Sequence, residues 1–321
     1  MFRILCAALA ASLAVAPSPA LTADYPAHSV RIITPFAAGG GIDILTRVVA
    51  QRLGQQWSQQ VLVENRPGAG ATIGYAAAAK AAPDGYTLIL GANPLGIGPV
   101  VYPNLPYEAR RDFVPVSLVA TTPEVLVVNA ASRLHTAADL AEHARKQPRK
   151  LNYGSAGSGT LAHLAAESFN QRAAMNAVHV AYKGSAPALT DLLGGQIDWL
   201  FDSPAAILPS LQAGKLRALA VASMQRTPQL PGLPTLAEAG FADLDFRIWV
   251  GLLAPAGTPE SIIREAEAAV TQAMRDPATR NTLAGQGWDV AGTTAREFAA
   301  FLDAELPKLA AAARAAGVKA D

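Results

Sequence analysis

Apolar positions along the chain change period abruptly near residue 41. Before it, Val30, Ile32 and Ile33 form a β-branched run that Pro35 ends, the pattern of a strand. After it, Leu45, Val48, Val49 and Leu53 recur at helical spacing, with Arg47, Gln51 and Arg52 off their face. Gly39, Gly40 and Gly41 join the two segments. Glycines weaken a helix start, at ~1 kcal/mol per interior glycine. That cost makes sense where another body approaches the backbone closely. The turn also fans backbone N–H groups at a helix N-terminus, where hydrogen bonding and the helix dipole attract anions. Tight strand–helix packing without a ligand is the plainer alternative. Asp43, in the first turn, is expected to serve the helix end.

The pattern returns at 151–171, where a strand runs into 154-GSAGSGT-160 and then a helix. Ser155, Ser158 and Thr160 add hydroxyl donors there, and Thr160 is as well placed to cap the helix as to touch a ligand. Further strands are expected at 61–64, 87–91, 114–119, 125–129, 178–182, 197–201, 216–222 and 248–255. Helices alternate with them: one rich in alanine to about residue 81, one capped by Thr136 and Asp139, and one with Pro259 at its first position. A last helix is capped by Thr294 and Glu297 and is expected to kink at Pro307. The proline-rich stretch 225–240 reads as a surface loop with a short helix. This alternation argues for an α/β fold of mainly parallel sheets flanked by helices. A boundary is expected at 121-TTPE-124, which puts the two glycine turns on opposite sides of it. Parallel α/β sheets bind ligands beyond the carboxyl ends of their strands. Two such sheets face to face would set both turns across one cleft, a geometry suited to a small molecule with an acidic group at each end.

Composition narrows the function classes. The chain has 321 residues, 51% of them apolar, enough for two domains of ordinary size. Net charge is +1 and no Lys/Arg cluster occurs, which argues against a nucleic-acid partner. Residues 1–23 carry Arg3, an apolar run and a small-residue exit, the pattern of a secretory signal peptide cleaved near Ala20 or Ala23. The run is too short for a membrane span. Cys6, the single cysteine, lies inside it and leaves no thiol for the mature chain. The five histidines, at 28, 135, 143, 163 and 179, show no ligand spacing with carboxylates, so neither a metal nor a cofactor is expected. Nothing in the pattern marks a large apolar interface, and a monomer is expected.

The turns bear on several specific chemistries. A phosphate loop lacks its Gly-Lys-Ser/Thr. A dinucleotide site would use Glu64 about 20 residues past the first turn, but its third glycine is missing. An exported serine hydrolase would use Ser158 with His163, although the Gly-x-Ser-x-Gly frame is broken by Ala156. Asp202, after the apolar run 197–201, is either a helix cap or a cleft-facing partner for a ligand amine or hydroxyl. Asn93 is either a turn residue or a cleft-facing amide.

The segments 25-YPAHSVRIITPFAAGGGIDILTRVVAQRL-53, 63-VENRPGAGATIG-74, 83-PDGYTLILG-91, 152-NYGSAGSGT-160, 182-YKGSAPALTDLLGGQID-198, 214-GKLRALAV-221 and 251-GLLAPAGTPE-260 resemble, in order, the extracytoplasmic solute receptors of tripartite tricarboxylate transporters, also called Bordetella uptake proteins. The resemblance spans nearly the whole mature chain. It implies a periplasmic, non-enzymatic protein with a two-lobed type II periplasmic-binding fold that closes over a small carboxylate and serves integral membrane transporter subunits. A ligand sensor for a signalling partner would use the same closed state. The resemblance also implies a discontinuous first lobe, 24–122 with 247–321, and a second lobe, 123–246. Its grip falls on Phe36, Ala38, Gly39, Gly40 and Gly41 in one lobe and Ser155, Gly157, Ser158, Gly159 and Thr160 in the other, with Asn93 and Asp202 added by position. Ile42 stands where the family has threonine, and 93-NPLGIGP-99 is less polar than its counterpart. Both departures point to a less polar or aromatic acid.

Overall fold

The computed structural model describes residues 25–320, and the expected signal peptide lies outside them. The first stretch holds β1 (Val30–Thr34), α1 (Gly41–Trp57), β2 (Val61–Asn65), α2 (Thr72–Ala79), β3 (Thr87–Ala92), α3 (Pro94–Val101), α4 (Ala109–Asp112) and β4 (Phe113–Asn129). Then come α5 (Ala137–Lys146), β5 (Asn152–Ser155), α6 (Leu161–Arg172), β6 (Val178–Ala181), α7 (Ser185–Leu193), β7 (Trp199–Asp202), α8 (Pro204–Gln212) and β8 (Leu216–Ala222). The chain ends with β9 (Arg247–Pro255), α9 (Glu260–Arg275), α10 (Pro277–Gly285), β10 (Asp289–Val290) and α11 (Ala295–Ala315). Among these residues no helix is long and apolar enough to cross a membrane.

Local signals account for many of these ends. Thr136 with Asp139, and Thr294 with Glu297, form complete capping boxes. Pro259 is the N-cap of α9 rather than its first helical residue. α11 continues past Pro307. Residues 225–240 form successive turns and no helix. Thr235 and Glu238 do exchange capping hydrogen bonds, but the turn they open stops at Gly240, with φ +93°.

All ten strands join through β4. One part of the sheet runs β2-β1-β3-β9-β4, with β10 also on β4. In the other, β4 lies between β8 and β7, followed by β5 and β6. The outer strands are parallel, as the alternating pattern implies, whereas β9 and β4 run antiparallel to their neighbours. The strands expected at 114–119 and 125–129 are one, because β4 runs unbroken for 17 residues. Pro123 is tolerated there because the strand exchanges partners at that point. Pro123 still pairs with Arg247 of β9, and Glu124 already pairs with Ala222 of β8.

Apolar packing divides the same way. One cluster gathers Leu126, Tyr153, Phe169, Trp199 and Phe241, and another gathers Val125, Leu192, Ile197 and Val221, all from residues 125–246. A third joins Ile33, Tyr75, Phe113, Trp249 and Phe298, all from outside that range. The largest belongs to the first part of the sheet but takes in Leu161, Leu164 and Ala205 from the second. The two parts are therefore packed against each other.

Candidate ligand-binding site

Five helices bring their first residues or caps to one crevice between the two parts of the sheet. Gly40 and Gly41 bring in α1, Asn93 and Pro94 bring in α3, and Thr160 and Leu161 bring in α6. Ser185 does the same for α7 and Ser203 for α8. The crevice encloses a cavity of about 60 Å³. Phe36, Ile42, Leu200, Phe201 and Ile248 supply apolar wall, and the lining contains no Lys, Arg or His.

The two glycine turns are built alike. Gly39 and Gly159 share a φ of +82°, and the caps that follow, Gly40 (φ −79°, ψ 164°) and Thr160 (φ −83°, ψ 166°), nearly coincide. In each turn the left-handed glycine donates its N–H to the side chain four residues on. Gly39 reaches Asp43 Oδ2 at 2.9 Å, and Gly159 reaches His163 Nδ1 at 3.2 Å. Gly157 N–H is likewise held by Ser155 Oγ at 3.1 Å. The fan of N–H groups expected from the glycines is thus partly consumed internally. What remains lies at the helix starts, since neither α1 nor α6 has a side-chain cap bond. The N–H groups of Gly40 and Gly41 meet no acceptor among the described residues. Pro94 and Pro204 open α3 and α8 and bring no N–H at those first positions.

The expected site residues divide accordingly. Phe36, Gly40, Gly41, Asn93, Ser155, Thr160 and Asp202 line the crevice. Ala38, Gly39, Gly157, Ser158 and Gly159 do not. Ala38 and Gly39 are exposed, while Gly157, Ser158 and Gly159 are buried in the turn. The Ser158 carbonyl accepts the Tyr102 hydroxyl at 3.1 Å. Asn93 faces the crevice, but its amide also ties down β9, donating to Arg247 O and accepting Trp249 N–H, both at 3.1 Å. Thr160 is the N-cap of α6, yet its hydroxyl donates to Gly157 O at 2.7 Å and leaves the helix end open. Ser203, not Asp202, caps α8. The Ser155 hydroxyl lies 2.7 Å from His179 Nε2. Glu64 pairs with Arg31 and Arg66 at the surface, away from the crevice.

Two carboxyls in the lining set its electrostatics. Asp202 accepts the Ser185 hydroxyl and, at 2.7 Å, the Ser203 N–H. Burial still pushes its carboxyl up to about 6, against those hydrogen bonds. Glu124 is 2% exposed, and its Oε2 has no hydrogen-bond partner. Burial first, and then the neighbouring Asp202, hold its carboxyl well above the usual range. Glu124, Ser185 and Ser203 belong to the lining without being expected from the sequence. A lone acid inside an apolar strand, and the helix openings 184-GSAP-187 and 203-SP-204, were the available signals.

The parts also touch beside the crevice. A Cβ on Gly70 would lie 2.0 Å from the Ser158 carbonyl oxygen, and one on Gly184 would lie 2.8 Å from Ala37 Cβ. A Cβ on Gly41 would meet Ser203 Oγ.

A profile of the tripartite tricarboxylate transporter family receptor, TctC, matches residues 45–318. The chain belongs to this receptor family. Solved TctC-type structures superpose closely on it. The periplasmic binding protein BugD has a TM-score of 0.89 at 32% identity, over 92% of this chain and 100% of that one. Rhodopseudomonas palustris Rpa4515 with adipate has a TM-score of 0.89 at 33% identity, over 92% and 99%. MatC from R. palustris, with bound malate, has a TM-score of 0.86 at 30% identity, over 90% and 100%. The receptor fold and its α/β layers are thus shared across the chain described here.

Proposed function

We propose that this protein is an exported periplasmic solute-binding protein that closes two lobes over a small organic carboxylate and delivers it to membrane transporter subunits. The lobes are residues 24–122 with 247–321, and residues 123–246, joined by the two strands β4 and β9. The observation that carries this reading is the convergence of five helix starts on a crevice without a cation. Amide dipoles stabilise a carboxylate there without a fixed salt bridge, which suits a protein that must release what it holds. The adipate and malate bound by Rpa4515 and MatC belong to the same chemical class. The ligand bridges the lobes and selects the closed arrangement, which the membrane partner recognises. The apolar wall favours an acid with a carbon skeleton over a fully polar one.

The test is a thermal-shift screen of di- and tricarboxylates, amino acids and aromatic acids, followed by calorimetry on the hits. Gly40→Val should abolish binding while leaving the protein folded, because its side chain would fill the α1 end of the crevice, where a Cβ already stands 3.3 Å from Ser185 Cβ. Unchanged affinity in that variant would remove the site. Binding, not turnover, is the reading. Ester hydrolysis that disappears in Ser155→Ala or Ser158→Ala would overturn it.

A further inference from the structure

We propose that Glu124 and Asp202 form a cation-reading subsite, so that the preferred ligand carries a positively charged nitrogen as well as its carboxylate. This deepens the carboxylate-receptor reading and rests on it. Glu124 stands at the point where β4 changes partners, beside the crevice and buried, with Oε2 unpartnered. Asp202 lies on the adjacent strand, opposite Val125. A buried polar group without a partner is costly, and the protein supplies none for this one. A ligand ammonium would supply it and would place its charge between two acids. A second ligand carboxylate in the same position would meet like charge instead.

The crevice lining carries no Lys, Arg or His, and behind it His179 meets Ser155 Oγ while His163 accepts the Gly159 N–H. Asp202 is the titratable group on β7 that enters the crevice. On β9, Arg247 is held by Asp289 of β10 and by Thr121. On β8, Arg217 is spent on the carbonyls of Ala130, Ser132 and Leu134. In the first turn of α1, Asp43 is engaged by Arg47 and Asn65. The carboxylate of the ligand is then left to the open starts of α1 and α6, and the nitrogen to the β4–β7 wall. Binding such a ligand favours the ionised form of both acids, so protons are released and affinity rises with pH.

Matched pairs that differ by one ammonium group test this: aspartate with succinate, glutamate with glutarate, and 4-aminobutyrate with butyrate. Titrations of the wild-type protein at pH 5.5 and pH 8, in two buffers of different ionisation enthalpy, read both affinity and the released proton. The expected result is at least ten-fold tighter binding of the ammonium member at pH 8, tightening from pH 5.5 upward. In Glu124→Gln that preference and the proton release should be lost while the protein stays folded, with a melting temperature no lower than that of the wild type. Equal or tighter binding of the deaminated acid by the wild type, or binding that weakens as pH rises, overturns the subsite and leaves the receptor reading standing. Silence of every acid tested, with the aromatic and tricarboxylic acids silent too, overturns the receptor reading and this inference together.

Discussion

Glu124 shows how one residue can set the chemistry of a site and weigh on the stability of the fold. Its carboxyl, like that of Asp202, keeps its proton in the folded state at pH values where the unfolded chain has lost it. Folded-state values raised above the unfolded ones mean that stability falls as pH rises between the two. For Asp202 the window runs from the ordinary aspartate value, 3.8, to about 6. Linkage puts its cost above that window at roughly 3 kcal/mol. For Glu124 the window opens near the ordinary glutamate value and extends higher. The ligand-free protein should therefore lose melting temperature steadily from about pH 4.5 toward neutrality. Glu124→Gln should flatten that slope, and a melting curve independent of pH would contradict the burial of both acids. Neither carboxyl advertised this from sequence. Glu124 follows Thr121, Thr122 and Pro123, residue types that mark turns, and its surroundings emerge only when β4 and β7 pair.

Elements whose ends carry their own chemistry were legible, and elements defined by their partners were not. The change from strand to helical spacing located β1 with α1 and β5 with α6, and hydroxyl–carboxylate pairs located the starts of α5 and α11. Thr294→Ala should cost about 1 kcal/mol, read as a lower melting temperature, by removing the side chain that accepts Glu297 N–H. By contrast, α3 is a helix made of 94-PLGIGPVV-101, a composition that reads as loop, and it forms because the core encloses it. β4 read as two strands because its register changes hands at a proline. The open donors at the crevice were overestimated for a related reason. Asp43 and His163 sit four residues after the glycines they engage, a spacing visible in the chain whose consequence depends on the turn geometry. α11 is fixed by an equally particular contact, in which the ring of Phe298 fills the space a Cβ on Gly251 of β9 would need, at 2.1 Å. Gly251→Ala should overpack that joint and destabilise the fold by about 1–3 kcal/mol, measurable by denaturant unfolding.

At the scale of the whole molecule, the proposed closure bears on the places where the two parts leave no room. Gly70 is the clearest, with φ +57° and the Ser158 carbonyl in the way of any side chain. Gly70→Ala should fold but fail to close. X-ray scattering should then show its radius of gyration unmoved by an acid that compacts the wild type, and compaction of the variant would argue that the lobes do not meet at this rim. The joint between the two parts is narrow. Among the described residues the backbone passes from one part to the other at 123–124 and returns at 246–247, and Glu124 N–H donates to Phe246 O at 3.0 Å. Segment 124–246 therefore starts and finishes at one spot, like a paragraph set between a single pair of brackets. Cut out at those marks, it should fold as a free-standing small protein with dispersed amide resonances, and the flanking pieces should rejoin across a short synthetic loop.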